Sequence, residues 1–400
     1  MAAKHAAMNG RQSTTTLQGR GLAAPTLRCL PGCKLAQAYA PCLQRQGIAA
    51  LSVRHLARQG VVAKSASDAA KELDPLESTV AAVFGPKLAP SVVTVGFIGV
   101  WYALNIGFNL LNKTIFKYFP FPYTVSTVHV IVGLIYCVLM YAIGLKGASF
   151  GRVITKEEFG KIFGPASMHA IGHVAANISF AAVAISLTHT VKTLEPAFNV
   201  VLSKLILGEG TPTGAVLSLV PIIMGVAMAS AGELSFNWTG FLTAMASNLT
   251  FGFRAVWSKM AMTKALNSTS VYAYTTLVSV IICVPLALLA EGSQLAEGVR
   301  VAIAKVGAQR FYTDLVAVGM LYHLYNQFAF NTLQRVSPVS HGVCNVVKRI
   351  AIIFSSVLFF NQAMTQQALI GTCIAIFGTW LYTDQTSRAK HAKALPPKAA

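Results

Sequence analysis

The chain has 400 residues, of which 54% are hydrophobic and only 11% charged, with a formal net charge of +19. Soluble domains carry about a quarter charged residues, so a soluble globular fold is excluded once the apolar residues prove to be clustered, as they are. Seven cysteines lie far apart with no paired CxxC set, so neither a disulfide framework nor a zinc site is expected, and no metal or other cofactor.

In chain order, residues 1–67 hold nine Lys/Arg and no Asp or Glu; the first acid is Asp68. An Arg-rich, acid-poor stretch without a single apolar core has the composition of an organelle transit peptide. VVAKSAS (Val61–Ser67) offers small residues for processing. Residues 68–91 read as a flexible lead-in. From Val92 onward hydropathy predicts ten spans, each near the 20 residues that a hydrocarbon core of roughly 30 Å requires. They are 93–112, 121–144, 161–184, 188–207, 213–231, 237–257, 271–290, 311–334, 339–360 and 365–383. Turn chemistry separates them: FPFPY (Phe119–Tyr123), GEGTPTG (Gly208–Gly214) and SFNWTG (Ser235–Gly240). The charged, amphipathic stretch 291–310 is expected at the interface. Residues 386–400 form a basic tail.

The loop after the second span (Lys146, Arg152, Lys156, Lys161) and the tail (Arg388, Lys390, Lys393, Lys398) are rich in Lys/Arg. The positive-inside rule then puts both termini on the same, cytosol-equivalent face.

The spans also divide into two similar sets, 92–236 and 237–385. SLTHTVKTLEPAFNVVLSKLILGEG can be laid on SPVSHGVCNVVKRIAIIFSSVLFFN, with His189 over His341 and Ser203 over Ser355. FNLLNKTIF and FRAVWSKMA likewise place Lys113 over Lys259. Five is odd, so the halves would have opposite orientation, an arrangement that sets a binding site at mid-membrane between them. The expected fold is all-α integral membrane, ten helices in two inverted five-helix repeats.

Cations within the spans are the strongest functional signal. Lys192, Lys204, Arg254, Lys259, Lys348 and Arg349 are candidates, while Glu195 is the one clear acid in a span. A cation at the bilayer centre costs several kcal/mol. Lys204 and Lys259 lie near predicted ends and can snorkel. Lys192 has Glu195 at i+3 as a local partner. Lys348 and Arg349 are sequence neighbours about 100° apart on a helix, with no carboxylate in their own span. The economical reading is that the missing anion is the cargo. Arg offers a planar fork and Lys a mobile point charge to a phosphate. An empty site would then hold unpaired charge and reorient slowly, which predicts obligatory exchange of one anion for another. GHVAANISF places His173, and HLYNQFAFN places Tyr325 and Asn326, where they can complete a ligand's hydrogen bonds; each could equally join helices.

GHVAANISFAAVAISLTHTVKTLEP, YHLYNQ and SHGVCNVVKR give residues 93–385 a resemblance to the plastidic phosphate translocator family of the drug/metabolite transporter superfamily. SFAAVA (Ser179–Ala184) and EGSQL (Glu291–Leu295) make the triose-phosphate/phosphate translocators the most similar subgroup. The resemblance implies a chloroplast transit peptide and an inner-envelope carrier whose termini face the stroma. It also implies strict exchange of inorganic phosphate for triose phosphates or 3-phosphoglycerate. The implied phosphate ligands fall on Lys192, Lys348 and Arg349 with Tyr325 beside them, and the three-carbon ligands on His173 and Arg254. Ala176 departs from the family pattern, which often has a hydroxyl residue one turn after the histidine; Asn177 is the candidate replacement.

Other carriers of the same fold, for phosphoenolpyruvate, hexose or pentose phosphates, fit the same cations. An intramembrane enzyme would need acid clusters to hold a metal, and the spans offer essentially one carboxylate, so no enzyme activity is expected. Repeated charge rings, the mark of many channels, are not seen. Expected partners are the phosphorylated substrates and membrane lipids, with no nucleic acid, and the sequence sets no oligomeric state.

Overall fold

Local sequence sets several helix ends. Pro90, Pro122 and Pro196 lie in first turns, where a missing N–H costs nothing. Thr155 and Glu158 form a complete capping box, which satisfies two orphan donors at once. Gly208 and Gly307 adopt φ of +67° and +84°, a region that glycine enters without steric cost. The computed structural model describes residues 75–145, 148–261, 268–336 and 338–394. The expected transit segment 1–67 and residues 395–400 of the tail lie outside the described residues.

The helices are α1 (Pro75–Phe84), α2 (Ala89–Tyr118), α3 (Pro122–Ala142), α4 (Lys156–Ala182), α5 (Ile185–Val191), α6 (Glu195–Leu207), α7 (Thr213–Leu217), α8 (Leu219–Gly232), α9 (Trp238–Ala261), α10 (Ser268–Val306), α11 (Ala308–Arg335), α12 (Pro338–Phe360) and α13 (Gln366–Ala394). Among the described residues there is no strand. Five stretches are long and apolar enough to cross a membrane: Ala89–Tyr118, Pro122–Ala142, Thr213–Gly232, Thr269–Val306 and Ser340–Phe360.

Four stretches differ from expectation. The lead-in 68–91 carries α1, and the tail is helical as far as Ala394. The stretch 291–306 continues α10 rather than forming a separate segment; at 1.5 Å per residue this 39-residue helix is roughly 58 Å long. Residues 188–207 are not one helix. α5 ends at Val191, Lys192–Leu194 tighten into a 3-10 turn, and α6 starts at Glu195. Pro196 explains the break, because it cannot donate to the carbonyl of Lys192 and its ring crowds that carbonyl.

Two end layers frame the helices. At one end, Tyr118 donates to Asp314 at 2.9 Å, Phe119 packs edge-on to Phe311 and Lys117 lies over the Phe360 ring. Glu291 accepts from the backbone N–H of Tyr123 and Thr124 at 3.1 and 2.7 Å. At the other end, Arg335 pairs with Glu77 at 2.9 Å and covers Phe97, and Tyr274 donates to the Arg152 carbonyl at 2.6 Å. The first end is sealed by a buried cluster that includes Phe108, Ile115, Phe116, Phe180, Phe311 and Val318. Within a membrane such a cluster is held by van der Waals packing rather than by escape from water.

Between the layers, helices approach closely wherever small residues face each other. A Cβ on Gly225 of α8 would lie 2.4 Å from the Ala375 backbone nitrogen, and one on Gly371 of α13 would lie 2.4 Å from that of Ala229. α4 meets α9 at Gly172, beside Phe251, and α3 meets α11 at Gly319 and Gly133.

Candidate functional site

A cavity of about 500 Å³ lies among α2, α4, α5, α6, α9, α11, α12 and α13. Phe108, Phe180 and Tyr322 are buried on its sealed side. Asn199, Ala329, Phe330 and Gly342, nearer the end that holds Glu77 and Arg335, are partly exposed.

All six residues singled out from sequence line it: Lys192, Lys348, Arg349, Tyr325, His173 and Arg254. Asn326 lines it too. The break before Pro196 sets Lys192 at the end of α5, where its Nζ donates to Ser247 Oγ at 2.8 Å and stands 4.6 Å over the Phe251 ring. Arg254 lies 4.8 Å from the same ring, and its Nη1 approaches His169 Nδ1 at 3.1 Å. Lys348 donates to Asn345 Oδ1 at 3.1 Å and stands 4.8 Å over Trp101. Each cation thus rests on an aromatic face or an amide, contacts that leave its charge uncancelled.

Arg349 is the exception. Its Nη2 donates to Glu195 Oε2 at 3.0 Å, while Nη1 is buried with no hydrogen-bond partner among the described residues. The expected local pairing of Glu195 with Lys192 therefore gives way to a bridge between α6 and α12. The lining holds four cations and one carboxylate, an excess of three positive charges. Among the described residues no group of three His, Cys, Asp or Glu side chains converges as a metal site would.

The predicted neutral groups join a wider network. His173 Nε2 lies 3.3 Å from His129 Nδ1. Asn177 Nδ2 also approaches His173 Nε2 at 3.3 Å, and Asn177 Oδ1 accepts from Asn112 at 2.7 Å. Asn177 is thus in contact with His173, while Ala176 contributes only a methyl to the lining. The Tyr325 ring packs against Phe108 and Tyr322 at 5.1 and 5.6 Å. The register pair also lies here: His189 Nε2 donates to Asn109 Oδ1 at 3.0 Å, and His341 stacks on Trp101 at 5.0 Å.

Of the remaining cations, Lys204 is exposed near the end of α6, and the side chain of Lys259 lies outside the described residues. Lys113, used above only for register, is half-buried and donates to the carbonyls of Phe180 and Val183 at 2.7 and 2.8 Å. It closes the C-terminal end of α4, where a cation meets the negative pole of the helix.

Sequence reading also missed His169, Tyr322, Trp101 and Phe251. The first two were within reach. His169 precedes His173 by one turn, and Tyr322 precedes Tyr325 by three residues, so each shares its neighbour's helix face.

The profile described as the Triose-phosphate Transporter family matches residues 92–383, which include every lining residue named above. The chain belongs to this family. Two relatives named "Triose phosphate/phosphate translocator, chloroplastic" are similar to it. The one from Spinacia oleracea is 48% identical over 296 residues, 74% of this chain and 72% of the relative. The one from Brassica oleracea var. botrytis is 49% identical over 306 residues, 76% of this chain and 74% of the relative. A "Glucose-6-phosphate/phosphate translocator 1, chloroplastic" from Arabidopsis thaliana is 40% identical over 291 residues, 72% of this chain and 74% of the relative. The family profile thus matches over the same helical region that builds the cavity.

Proposed function

We propose that this chain is an antiporter that exchanges inorganic phosphate for triose phosphate or 3-phosphoglycerate across the chloroplast inner envelope by alternating access. The observation that carries the reading is the excess of three positive charges in one cavity among membrane helices. The cavity volume, about 500 Å³, falls in the range of small-molecule sites. A phosphorylated three-carbon compound supplies the missing negative charge and has groups to spare for neutral donors. The names of the relatives from Spinacia oleracea and Brassica oleracea support the same substrates.

In this reading Lys192, Lys348 and Arg349 hold the phosphate with Tyr325, while His173 and Arg254 face the three-carbon part. The free Nη1 of Arg349 provides a second arm for a bidentate contact with phosphate oxygens. The empty carrier keeps its charge excess, so it crosses between states slowly; a bound phosphate group, with about two negative charges, cancels most of that excess, and the loaded carrier crosses fast. Strict exchange follows from that difference alone.

Two inverted five-helix repeats are the proposed frame. The helix pairing supports it: α2 packs on α11 as α9 packs on α4, α12 meets α2 as α9 meets α6, and α3–α10 and α8–α13 are self-matching pairs. Both termini are proposed to face the stroma, which makes this conformer open on that side and sealed by Tyr118, Asp314 and Phe311 on the other.

The test is exchange of labelled phosphate in liposomes, comparing wild type with Lys192→Ala, Lys348→Ala and Arg349→Ala. Each variant should elute as a folded protein and lose about tenfold to a hundredfold in exchange, the weight of one charged hydrogen bond. Efflux from loaded vesicles that is as fast into substrate-free medium as into substrate would refute obligatory exchange. A second reading, exchange of a larger phosphorylated metabolite, is favoured by Ala176 on the lining and by the name of the relative from Arabidopsis thaliana. Competition by glucose 6-phosphate at the concentration where a triose phosphate competes would select it.

A further inference from the structure

We propose that Tyr322 is a specificity-determining donor to an oxygen on the organic part of the substrate, its polarity fixed by a relay from Arg254 through His169. This rests on the reading above that the cavity takes phosphorylated metabolites.

A guanidinium carries five donors and no acceptor. Arg254 Nη1 lies 3.1 Å from His169 Nδ1, so that ring nitrogen must accept. The imidazole is therefore neutral with its hydrogen on Nε2. That nitrogen lies 3.1 Å from the Tyr322 hydroxyl, so His169 donates into the tyrosine oxygen. The hydroxyl's own proton cannot return to His169 and needs another acceptor.

Among the described residues no second group hydrogen-bonds to it. The Tyr322 ring is 2% exposed and lies against His173, with centroids 4.1 Å apart and planes 31° apart, and against His129 at 5.3 Å and 22°. These rings cover its faces, not its hydroxyl. Among the described residues the hydroxyl's one hydrogen-bond partner is His169. Tyr322 also lines the cavity, so the unspent proton serves a ligand there. A carbonyl, carboxylate or hydroxyl oxygen satisfies it; a plain alkyl chain leaves a buried donor unpaired. Sites built this way reject the analogue lacking the matching atom more strongly than apolar pockets reject a missing methylene. Arg254 and His169 are positioning residues in this relay, although Arg254 keeps other N–H groups for the cavity.

The experiment uses the full chain in liposomes loaded with phosphate. It compares uptake of dihydroxyacetone phosphate with that of n-propyl phosphate, a three-carbon ester without an oxygen on its chain beyond the ester. Wild type should prefer the first by about tenfold in half-saturation, the equivalent of one buried hydrogen bond. Tyr322→Phe should cut that preference several-fold, and His169→Met should do the same. His169→Gln keeps an acceptor and a donor in one planar group and should keep the preference. The double variant Tyr322→Phe/His169→Met should lose no more than either single variant, because both remove the same contact. An unchanged ratio in Tyr322→Phe, or effects that multiply in the double variant, would overturn the relay while exchange itself stands. A wild type that exchanges neither ester for phosphate would overturn the transport reading along with it. Tyr322→Phe removes a single oxygen, so it decides the matter even where His169→Met does not fold.

Discussion

Arg349 and Glu195, 154 positions apart, meet at 3.0 Å across the cavity, and the bridge uses only one of the two terminal nitrogens of the guanidinium. In the proposed reading, the carboxylate competes with the substrate anion for Arg349. Glu195→Gln should strengthen phosphate binding about fivefold, since an ion pair that is not fully desolvated is worth up to roughly 1 kcal/mol. Half-saturation for phosphate in exchange assays checks this. A weaker apparent affinity would mean that Glu195 positions Arg349 rather than competing for it.

The contact of α8 with α13 predicts a stability effect. A methyl on Gly371 would fall 2.4 Å from the Ala229 nitrogen and 2.7 Å from the Gly225 carbonyl oxygen. Backbone atoms cannot swing aside as a side chain can, so Gly371→Ala should destabilise by about 1–3 kcal/mol, the usual range for overpacking. Gly99, whose Cβ would meet nothing within 4 Å, is the control. Thermal unfolding in detergent should show a lower midpoint for Gly371→Ala than for Gly99→Ala.

Glu291 caps α3 from another helix, accepting from Tyr123 N and Thr124 N. Phe121, at the N-cap itself, provides no side-chain acceptor. Glu291→Ala should cost about 1–2 kcal/mol, as losing a cap usually does, and should loosen the sealed end. With Cys344 and Cys373 replaced by serine, an impermeant maleimide added from the side of residues 119–121 should react faster with an Ala176→Cys reporter. No change in labelling would show that Glu291 does not help hold the seal.

A pH effect follows at the start of α4. The Arg152 guanidinium, followed by the Thr155 backbone N–H, pulls the Glu158 carboxyl from 4.5 down to about 2. A carboxyl held lower in the folded chain stabilises it fully above the unfolded value, and that contribution fades as pH falls from about 4.5 toward 2. Protection of the first-turn amides of α4, taken relative to intrinsic exchange at each pH, should therefore fall across that window in wild type. In Glu158→Gln it should be lower already at neutral pH and flat across the window.

The cations were legible because a charge inside an apolar run is conspicuous one residue at a time. Lys192, Arg254, Lys348 and Arg349 needed only hydropathy to be noticed, and the cavity gathers all four. Their partners were not legible. Spacing along one helix offers Glu195 to Lys192, but the carboxylate's partner comes from α12, and tertiary contacts leave no trace in i+3 arithmetic. The break in 188–207 was visible in principle, since Pro196 cannot sit inside a regular helix. The continuation of α10 through 291–306 was hidden by its charges, among them the exposed pair Glu297 and Arg300 at 2.6 Å, which read as an amphipathic segment at the interface. Lys113 was hidden differently: its carbonyl partners on α4 belong to backbone, which carries no sequence signature at all.

The mutual fit of Gly225 and Gly371 leaves no clearance between the two helices' main chains. Such a joint can neither slide nor hinge without tearing apart, so α8 and α13 must travel as a single stave. In the proposed exchange cycle the bending is then absorbed elsewhere, and the fracture between Val191 and Glu195 supplies a ready-made knee in the cavity wall.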